Sequence, residues 1–217
     1  MTQATSLITR GMDARGNPCA FKQLRPEDAM REDLALRLQN EADVLLHLAG
    51  TPGVIRLLEV RQAPLTLLLE FADGGSLDDR LRGAQSLGNR KRIASELLAV
   101  VAACHARGVT HRDIKPSNLL FVGDALRLAD FGIAAWGDPP RALPDGWQED
   151  EVGTPPWSAP ELRKNATGVV SPAVDVYGVA MTLAALLGDA ASEAIIAARS
   201  DDPRRRPSLE ELGRSLP

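Results

Sequence analysis

The chain has 217 residues, of which 44% are hydrophobic and 25% charged, as in a globular protein with one substantial core. A net charge of −4 gives no electrostatic basis for binding nucleic acid or an anionic membrane, and we expect neither as a partner. Two cysteines, an N-terminus without an apolar segment and no apolar run of membrane-spanning length favour a cytoplasmic location, although the small size is also compatible with a secreted effector.

The first 72 residues are predicted to form a small lobe of short strands around one helix. Strand-like runs end at Ala20-Phe21-Lys22 and occupy 54–60 and 65–71. Residues 27–49 have the pattern of an amphipathic helix, because leucines recur on one of its faces. These leucines are Leu34, Leu38, Leu45 and Leu48.

Residues 73–217 are predicted to form a larger and mainly helical lobe. The turn Asp73-Gly74-Gly75 is typical of a hinge. The elements predicted after it are helices over 90–107 and 171–188, hairpin strands over 118–122 and 125–129, and a last short helix with Ser208 and Glu211 as a capping box. A hinge between two lobes leaves a cleft, and clefts between lobes are common ligand sites.

Five short motifs follow one another along the chain. They are HRDIKPSN (111–118), ADFG (129–132), GTPPWSAPE (153–161), DVYG (175–178) and DPRRRPS (202–208). In this order and spacing they resemble the eukaryotic-type serine/threonine protein kinase family. The resemblance implies one α+β domain over 1–217 with a protein-kinase-like two-lobe fold. Its small β-rich N-lobe would cover 1–72 and be truncated at its start, and its mainly helical C-lobe would cover 73–217.

The resemblance further implies that the loop HRDIKPSN transfers the γ-phosphoryl group of ATP to a protein hydroxyl. Asp113 would accept the proton of the substrate hydroxyl, and Lys115 would neutralise charge on the transferred group. Asn118 and Asp130 would hold Mg²⁺, which prefers oxygen ligands. Lys22 would bind the α- and β-phosphates.

Other residues of the small lobe are expected to complete the ATP site. Glu41, on the predicted helix, would pair with Lys22. The adenine would lie between Ala20 and Leu120, with Leu7 as a further cover. Its hydrogen bonds would go to the hinge backbone between Glu70 and Ala72, after a gatekeeper-like Leu69.

The remaining motif residues are assigned to the substrate side and to structural support. Thr154 would lie near Asp113 and Lys115 and favour a serine or threonine acceptor. Asp175 would anchor the backbone of the catalytic loop, while Glu161 and Arg206 would form a buried ion pair.

The acidic run Glu149-Asp150-Glu151 raises a question of regulation, because residues 133–152 contain no Ser, Thr or Tyr. One of its carboxylates would pair with Arg112 and order the segment without phosphorylation. The alternative is a solvated acidic turn.

Two departures from the family pattern qualify the prediction. No G-x-G-x-x-G is present; Ser6 to Asp13 matches the second strand of the lobe, so the phosphates would lack a glycine-rich cover. Only about a dozen residues separate Gly188 from Asp202, where the family usually has a further helix. These features keep open a pseudokinase-like scaffold with weak turnover, or an enzyme completed by an activating protein partner. A small-molecule kinase is disfavoured by GTPPWSAPE, which is a protein-substrate platform in the family.

Overall fold

The computed structural model describes residues 6–83, 86–137, 154–164, 171–188 and 191–216. The small lobe is a four-stranded antiparallel sheet with one long helix. Its elements are β1 (Ser6–Met12), β2 (Pro18–Leu24), α1 (Glu32–His47), β3 (Leu57–Gln62) and β4 (Leu65–Glu70). The strand order is β1-β2-β4-β3, so β2 lies inside the sheet and carries Lys22 opposite Leu67 of β4.

Helix α1 packs its predicted leucine face into the core. Leu34, Leu38 and Leu45 are buried, as is Leu48 just beyond the last turn. The helix is shorter than the predicted 27–49, because Pro26–Asp28 forms a separate 3₁₀ turn. Glu32 and Asp33 occupy the first turn of α1, where the helix dipole favours negative charge.

The strand predicted over 54–60 begins later, at Leu57, and this corrects the sequence prediction. Val54 and Ile55 are buried, and Ile55 N–H donates to the carbonyl of Leu128, 3.0 Å away. Leu128 N–H in turn donates to the carbonyl of Gly53 at 2.7 Å. The segment therefore ties the small lobe to the β-hairpin of the large lobe instead of extending the sheet.

The large lobe consists of helices around one hairpin. Its elements are α2 (Leu77–Leu81), α3 (Leu87–Ala106), β5 (Leu119–Val122), β6 (Ala125–Leu128), α4 (Pro160–Lys164), α5 (Ala173–Leu187), α6 (Glu193–Ala197) and α7 (Leu209–Arg214). Helix α3 begins three residues before the predicted 90, because the Ser86 hydroxyl caps it by accepting from Asn89 N–H. Gly108 follows its end with φ +70°, a conformation that favours glycine. The capping box of Ser208 and Glu211 on α7 is confirmed.

Helix α5 is the buried axis of this lobe. Most of its side chains are inaccessible to solvent, and it ends at Gly188 as predicted. Between α5 and Asp202 the described residues include one helix, the five-residue α6, which the sequence did not lead us to expect. One continuous hydrophobic core joins α1 and β4 to α3, the hairpin and α5. Throughout the described parts of the chain, each helix is too short or too polar to cross a bilayer.

Candidate active site

The backbone of the loop that begins at His111 is hydrogen-bonded to a single carboxylate of α5. Asp175 is 1% exposed, and its oxygens accept from the backbone N–H groups of His111 and Arg112, each at 2.8 Å. The ring of His105, on α3, is a third partner at 2.8 Å. These bonds maintain Arg112 at φ +71°, a region that costs a non-glycine residue about 1–3 kcal/mol. The loop is therefore fixed through its backbone.

A close approach of α5 supports the same loop. A Cβ atom on Gly178 would lie 2.8 Å from the carbonyl oxygen of Ile114, closer than such atoms normally approach. Glycine at this position lets the helix backbone pass directly beneath the loop. Ile114 itself is buried in the core.

His111 supports the loop from within the core. Its Nε2 lies 3.0 Å from the carbonyl oxygen of Ala129, and its Nδ1 accepts from Asp113 N–H at 3.2 Å. Since a carbonyl can only accept, the proton is on Nε2. The ring also packs edge-on against buried Phe131, with centroids 4.7 Å apart. His111 thus links the loop to the segment that carries Asp130.

Four predicted site residues converge at the mouth of this loop. Lys115 Nζ donates to Asp113 Oδ2 at 2.7 Å and to Thr154 Oγ1 at 2.6 Å. Thr154 Oγ1 lies 3.3 Å from Asp113 Oδ1. Asn118 Nδ2 donates to the backbone carbonyl of Asp113 at 2.9 Å and to its carboxylate at 3.1 Å. The cluster presents a carboxylate and an ammonium side by side.

Three further residues meet across the cleft, although they are far apart in sequence. Lys22 Nζ lies 2.5 Å from Glu41 Oε2 and 2.8 Å from Asp130 Oδ1. Burial disfavours the charge of Lys22, but the two carboxylates outweigh burial and raise its pKa. The Lys22 ammonium in turn lowers the pKa of Asp130 to about 2. Burial raises the pKa of Glu41, against the opposing effect of Lys22.

The side-chain oxygens of Asn118 and Asp130 are of the type that Mg²⁺ prefers as ligands. The Asp130 side chain remains 46% exposed, and Asn118 carries its amide next to Asp113. The backbones of these two segments are joined, because Ala129 N–H donates to the Asn118 carbonyl at 2.9 Å. The described residues contain no cluster of three His, Cys, Asp or Glu side chains suited to a metal. Mg²⁺ commonly uses one or two protein oxygens and completes its shell with phosphates and water.

The predicted adenine pocket lies at the junction of the lobes. Ala20 on β2 pairs with Leu69 on β4, and both Ala20 and Leu120 are partly buried against the core. Leu7 is partly buried on the neighbouring strand, opposite Gln23. Leu120 in turn forms an isolated β-bridge with Ser76, just after the hinge turn.

The hinge itself is held by Glu70, whose side chain the sequence analysis did not consider. Its carboxylate contacts Arg56 at 2.9 Å and Arg127 at 3.1 Å. Its N–H donates to the Arg56 carbonyl at 2.9 Å. Ala72 follows as a partly buried residue. The Glu70 side chain thus connects β4 to the hairpin strand β6.

The expected contact between Glu161 and Arg206 is bidentate. Arg206 Nη1 and Nη2 lie 2.6 and 2.8 Å from the two carboxylate oxygens.

Arg112 donates to the Ile133 carbonyl at 3.4 Å. The acidic run predicted to pair with Arg112 lies outside the described residues.

Sequence reasoning missed His105 and Asn40. His105 sits on α3 one residue after the buried Cys104, and a polar side chain beside a buried helix face is a signal for a buried partner. Asn40 precedes Glu41, and its amide contacts the segment after Asp130. Nothing in the local sequence around Asn40 indicates that contact, since it depends on the tertiary fold.

Comparison with known proteins agrees with this geometry. Residues 4–211 match the family model described as "Protein kinase domain". The chain is 38% identical over 152 residues to CBL-interacting protein kinase 19 of Oryza sativa subsp. japonica, which covers 68% of this chain and 29% of the relative. It is 33% identical over 177 residues to CBL-interacting serine/threonine-protein kinase 26 of Arabidopsis thaliana, covering 79% of this chain and 39% of the relative. Calcium-dependent protein kinase 2 of Arabidopsis thaliana is 31% identical over 180 residues, covering 79% and 27%. The chain thus spans well under half the length of these relatives.

Proposed function

Because the chain belongs to the eukaryotic-type serine/threonine protein kinase family, we propose that it transfers the γ-phosphoryl group of ATP to a serine or threonine hydroxyl of a protein. One observation carries the proposal. Lys22 contacts both Glu41 and Asp130, so the three residues to which we assign phosphate binding, helix pairing and metal binding lie together. A fold that served only as a scaffold would not require all three.

The transfer exchanges one phosphorus–oxygen bond for another. The acceptor oxygen bonds to the γ-phosphorus, the bond to the β–γ bridging oxygen breaks, and ADP leaves with that oxygen. Asp113 takes the acceptor's proton. Its Oδ1 lies next to the hydroxyl of Thr154, the residue expected to favour a serine or threonine acceptor. Lys115 supplies positive charge where charge develops on the transferred group.

The small lobe orients the nucleotide. Lys22 would bind the α- and β-phosphates, and Glu41 keeps its ammonium in position. Asn118 and Asp130 would hold Mg²⁺, which neutralises phosphate charge when bound. At the hinge, the Glu70 N–H is already bonded to Arg56, so an adenine contact at this residue would use its carbonyl, with Ala72 supplying the donor. Ala20, Leu120 and Leu7 would enclose the base.

A regulatory protein partner is a second part of the proposal. Two of the relatives are named as CBL-interacting. A partner that orders the small lobe would lower the KM for ATP. Activity should then rise on addition of a purified CBL protein at sub-saturating ATP, with little change at saturation; an equal rise at both would argue against this role.

The enzymatic proposal is tested with labelled ATP, Mg²⁺ and a generic basic protein. Asp130→Ala should abolish transfer, because the metal carboxylate and a Lys22 partner are lost together. Asp124→Ala, which removes a carboxylate that is 91% exposed, is the matched control and should transfer normally. Label on serine or threonine supports the proposal, and no transfer by the unmodified chain, alone or with a purified CBL protein, supports the scaffold alternative.

A further inference from the structure

The side-chain amide of Asn40 joins α1 to the segment that follows Asp130. Its Nδ2 donates to three backbone carbonyls, those of Phe131 at 3.3 Å, Gly132 at 3.2 Å and Ala134 at 3.1 Å. Its Oδ1 accepts from Trp136 Nε1 at 3.1 Å. The carbonyls can only accept and the indole can only donate, so these contacts fix the orientation of the amide.

The position of Asn40 gives these contacts a direct link to the cleft. Asn40 is bonded to Glu41 along α1, and Phe131 is bonded to Asp130. Glu41 and Asp130 are the two carboxylates that Lys22 contacts. Any rotation of α1 that separates Glu41 from Lys22 must therefore also break the contacts of Asn40.

Trp136 also connects the segment after Asp130 to the C-terminal end of α1. Its ring lies 5.2 Å from the ring of His47, the last residue of α1. His47 Nε2 lies 2.9 Å from the Arg107 carbonyl, and Arg107 donates back to the His47 carbonyl. Arg107 follows α3 in the large lobe, so α1 is tied to that lobe both at its middle and at its end.

The strand-like segment around Trp136 is itself anchored. Ala135 and Thr110 exchange two backbone hydrogen bonds, at 2.8 and 2.9 Å. Thr110 directly precedes the catalytic loop. The partner surface that Asn40 contacts is thus attached to the same loop that carries Asp113.

We infer that Asn40 and Trp136 act as a positioning pair for the transfer reaction, fixing α1 so that Glu41 stays on Lys22. This rests on the proposed function. The pair requires no covalent modification, and residues 133–152 contain no Ser, Thr or Tyr that could be phosphorylated for the purpose. Neither residue touches the reacting atoms; both act through Glu41 and Asp130.

The kinetic test compares Asn40→Ala with Gln39→Ala. Gln39 is the matched control, because the hydrogen bond that its amide donates within the described part of the chain stays on the same helix, to Asp43. We expect Asn40→Ala to lower kcat by about tenfold or more, as loss of catalytic alignment does, with the KM for the protein substrate unchanged. Gln39→Ala should keep the original kcat. Equal kcat values in the two variants would overturn the inference.

A second comparison separates positioning from loss of stability. Val44→Ala truncates a fully buried residue of α1 and should lower the melting temperature while leaving kcat intact where the protein is folded. Trp136→Phe keeps the ring but loses the N–H, and should lower kcat by less than Asn40→Ala. The double variant should be no slower than Asn40→Ala, because the hydrogen bond that Trp136→Phe removes is already lost in Asn40→Ala. Fully additive losses would count against a pair.

Hydrogen exchange tests the pair without any activity. Amides of α1 should exchange faster in Asn40→Ala and in Trp136→Phe than in Gln39→Ala, while those of α5 keep their rates. If the unmodified chain transfers no phosphate but α1 responds in this way, the proposed function fails and the positioning contact stands. If α1 exchanges at the same rate in all variants, the positioning inference fails whatever the activity.

Discussion

The two sides of the cleft are held by different kinds of interaction. On the large-lobe side, the loop carrying Asp113 is fixed by backbone hydrogen bonds to the buried carboxylate of Asp175. On the small-lobe side, Lys22 is held by contacts between side chains, with Glu41 on α1 and with Asp130 across the cleft. Backbone anchoring on a buried helix leaves few alternative arrangements, whereas side-chain contacts across the cleft break when either element shifts. In the proposed reaction, the large lobe would therefore set the chemistry, and the small lobe would set how well ATP is aligned with it.

The largest effect on catalysis is expected on the large-lobe side of the cleft, at Asp113. Asp113→Asn removes the proton acceptor and should lower kcat by about 10³-fold, within the range for general-base catalysis. The KM for ATP should change little, because Lys22, Glu41 and Asp130 remain. Initial rates over a range of ATP concentrations measure both constants. A large rise in KM would contradict the division of roles between the lobes.

Lys22→Met tests the small-lobe side of the cleft. It should lower kcat/KM for ATP by about 10²-fold, since the phosphates lose an ammonium and Glu41 is left as a buried carboxylate without its partner. Direct titration with ATP should show weaker binding. Lys91→Met, on α3, is the charge-matched control and should bind ATP normally. Unchanged binding in Lys22→Met would mean that the cleft holds ATP without this residue.

His105→Leu tests how much the hold of Asp175 on the catalytic loop depends on its third hydrogen-bond donor, the ring of His105. The substitution leaves one oxygen of Asp175 with the His111 N–H alone, and hydrogen bonds to charged groups contribute about 1.5–3 kcal/mol. We expect the free energy of unfolding to fall by about 2 kcal/mol, with a smaller loss in kcat. Urea denaturation measures the former. A loss of kcat without a loss of stability would show that His105 acts on the loop alone.

The sequence predicted the large-lobe side of the cleft better than the small-lobe side, for physical reasons. The motif residues from His111 to Asn118 are contiguous, so their order alone places Asp113, Lys115 and Asn118 on one loop. The strands and α1 were located from their apolar periodicity. Val54 and Ile55 were misassigned to a strand because apolar β-branched residues fit a sheet and a core equally well. Asn40 and His105 were missed because the partners of a polar side chain on a helix are decided by tertiary packing.

The two cysteines provide a native probe of each lobe. Cys19 lies on β2 and Cys104 on α3, and both are buried. Burial raises the pKa of both thiols, that of Cys104 to about 12. Since the thiolate is the reactive form, alkylation near pH 8 should require local opening. If the small lobe opens more readily, Cys19 should be labelled about tenfold faster than Cys104.

The pH dependence of labelling shows whether opening occurs. In an opened segment a thiol regains its ordinary pKa of about 8.5, so the rate should rise about tenfold per pH unit below that value and level off above it. Direct reaction of buried Cys104 would instead keep rising towards pH 12. Mass spectrometry of peptides after timed alkylation measures both rates. Lys22→Met should accelerate Cys19, which lies on the same strand as Lys22, and leave Cys104 unchanged, because the lost contacts do not involve α3. Equal acceleration of the two thiols would show that the lobes open together, and the contrast between the two sides of the cleft would then have to be abandoned.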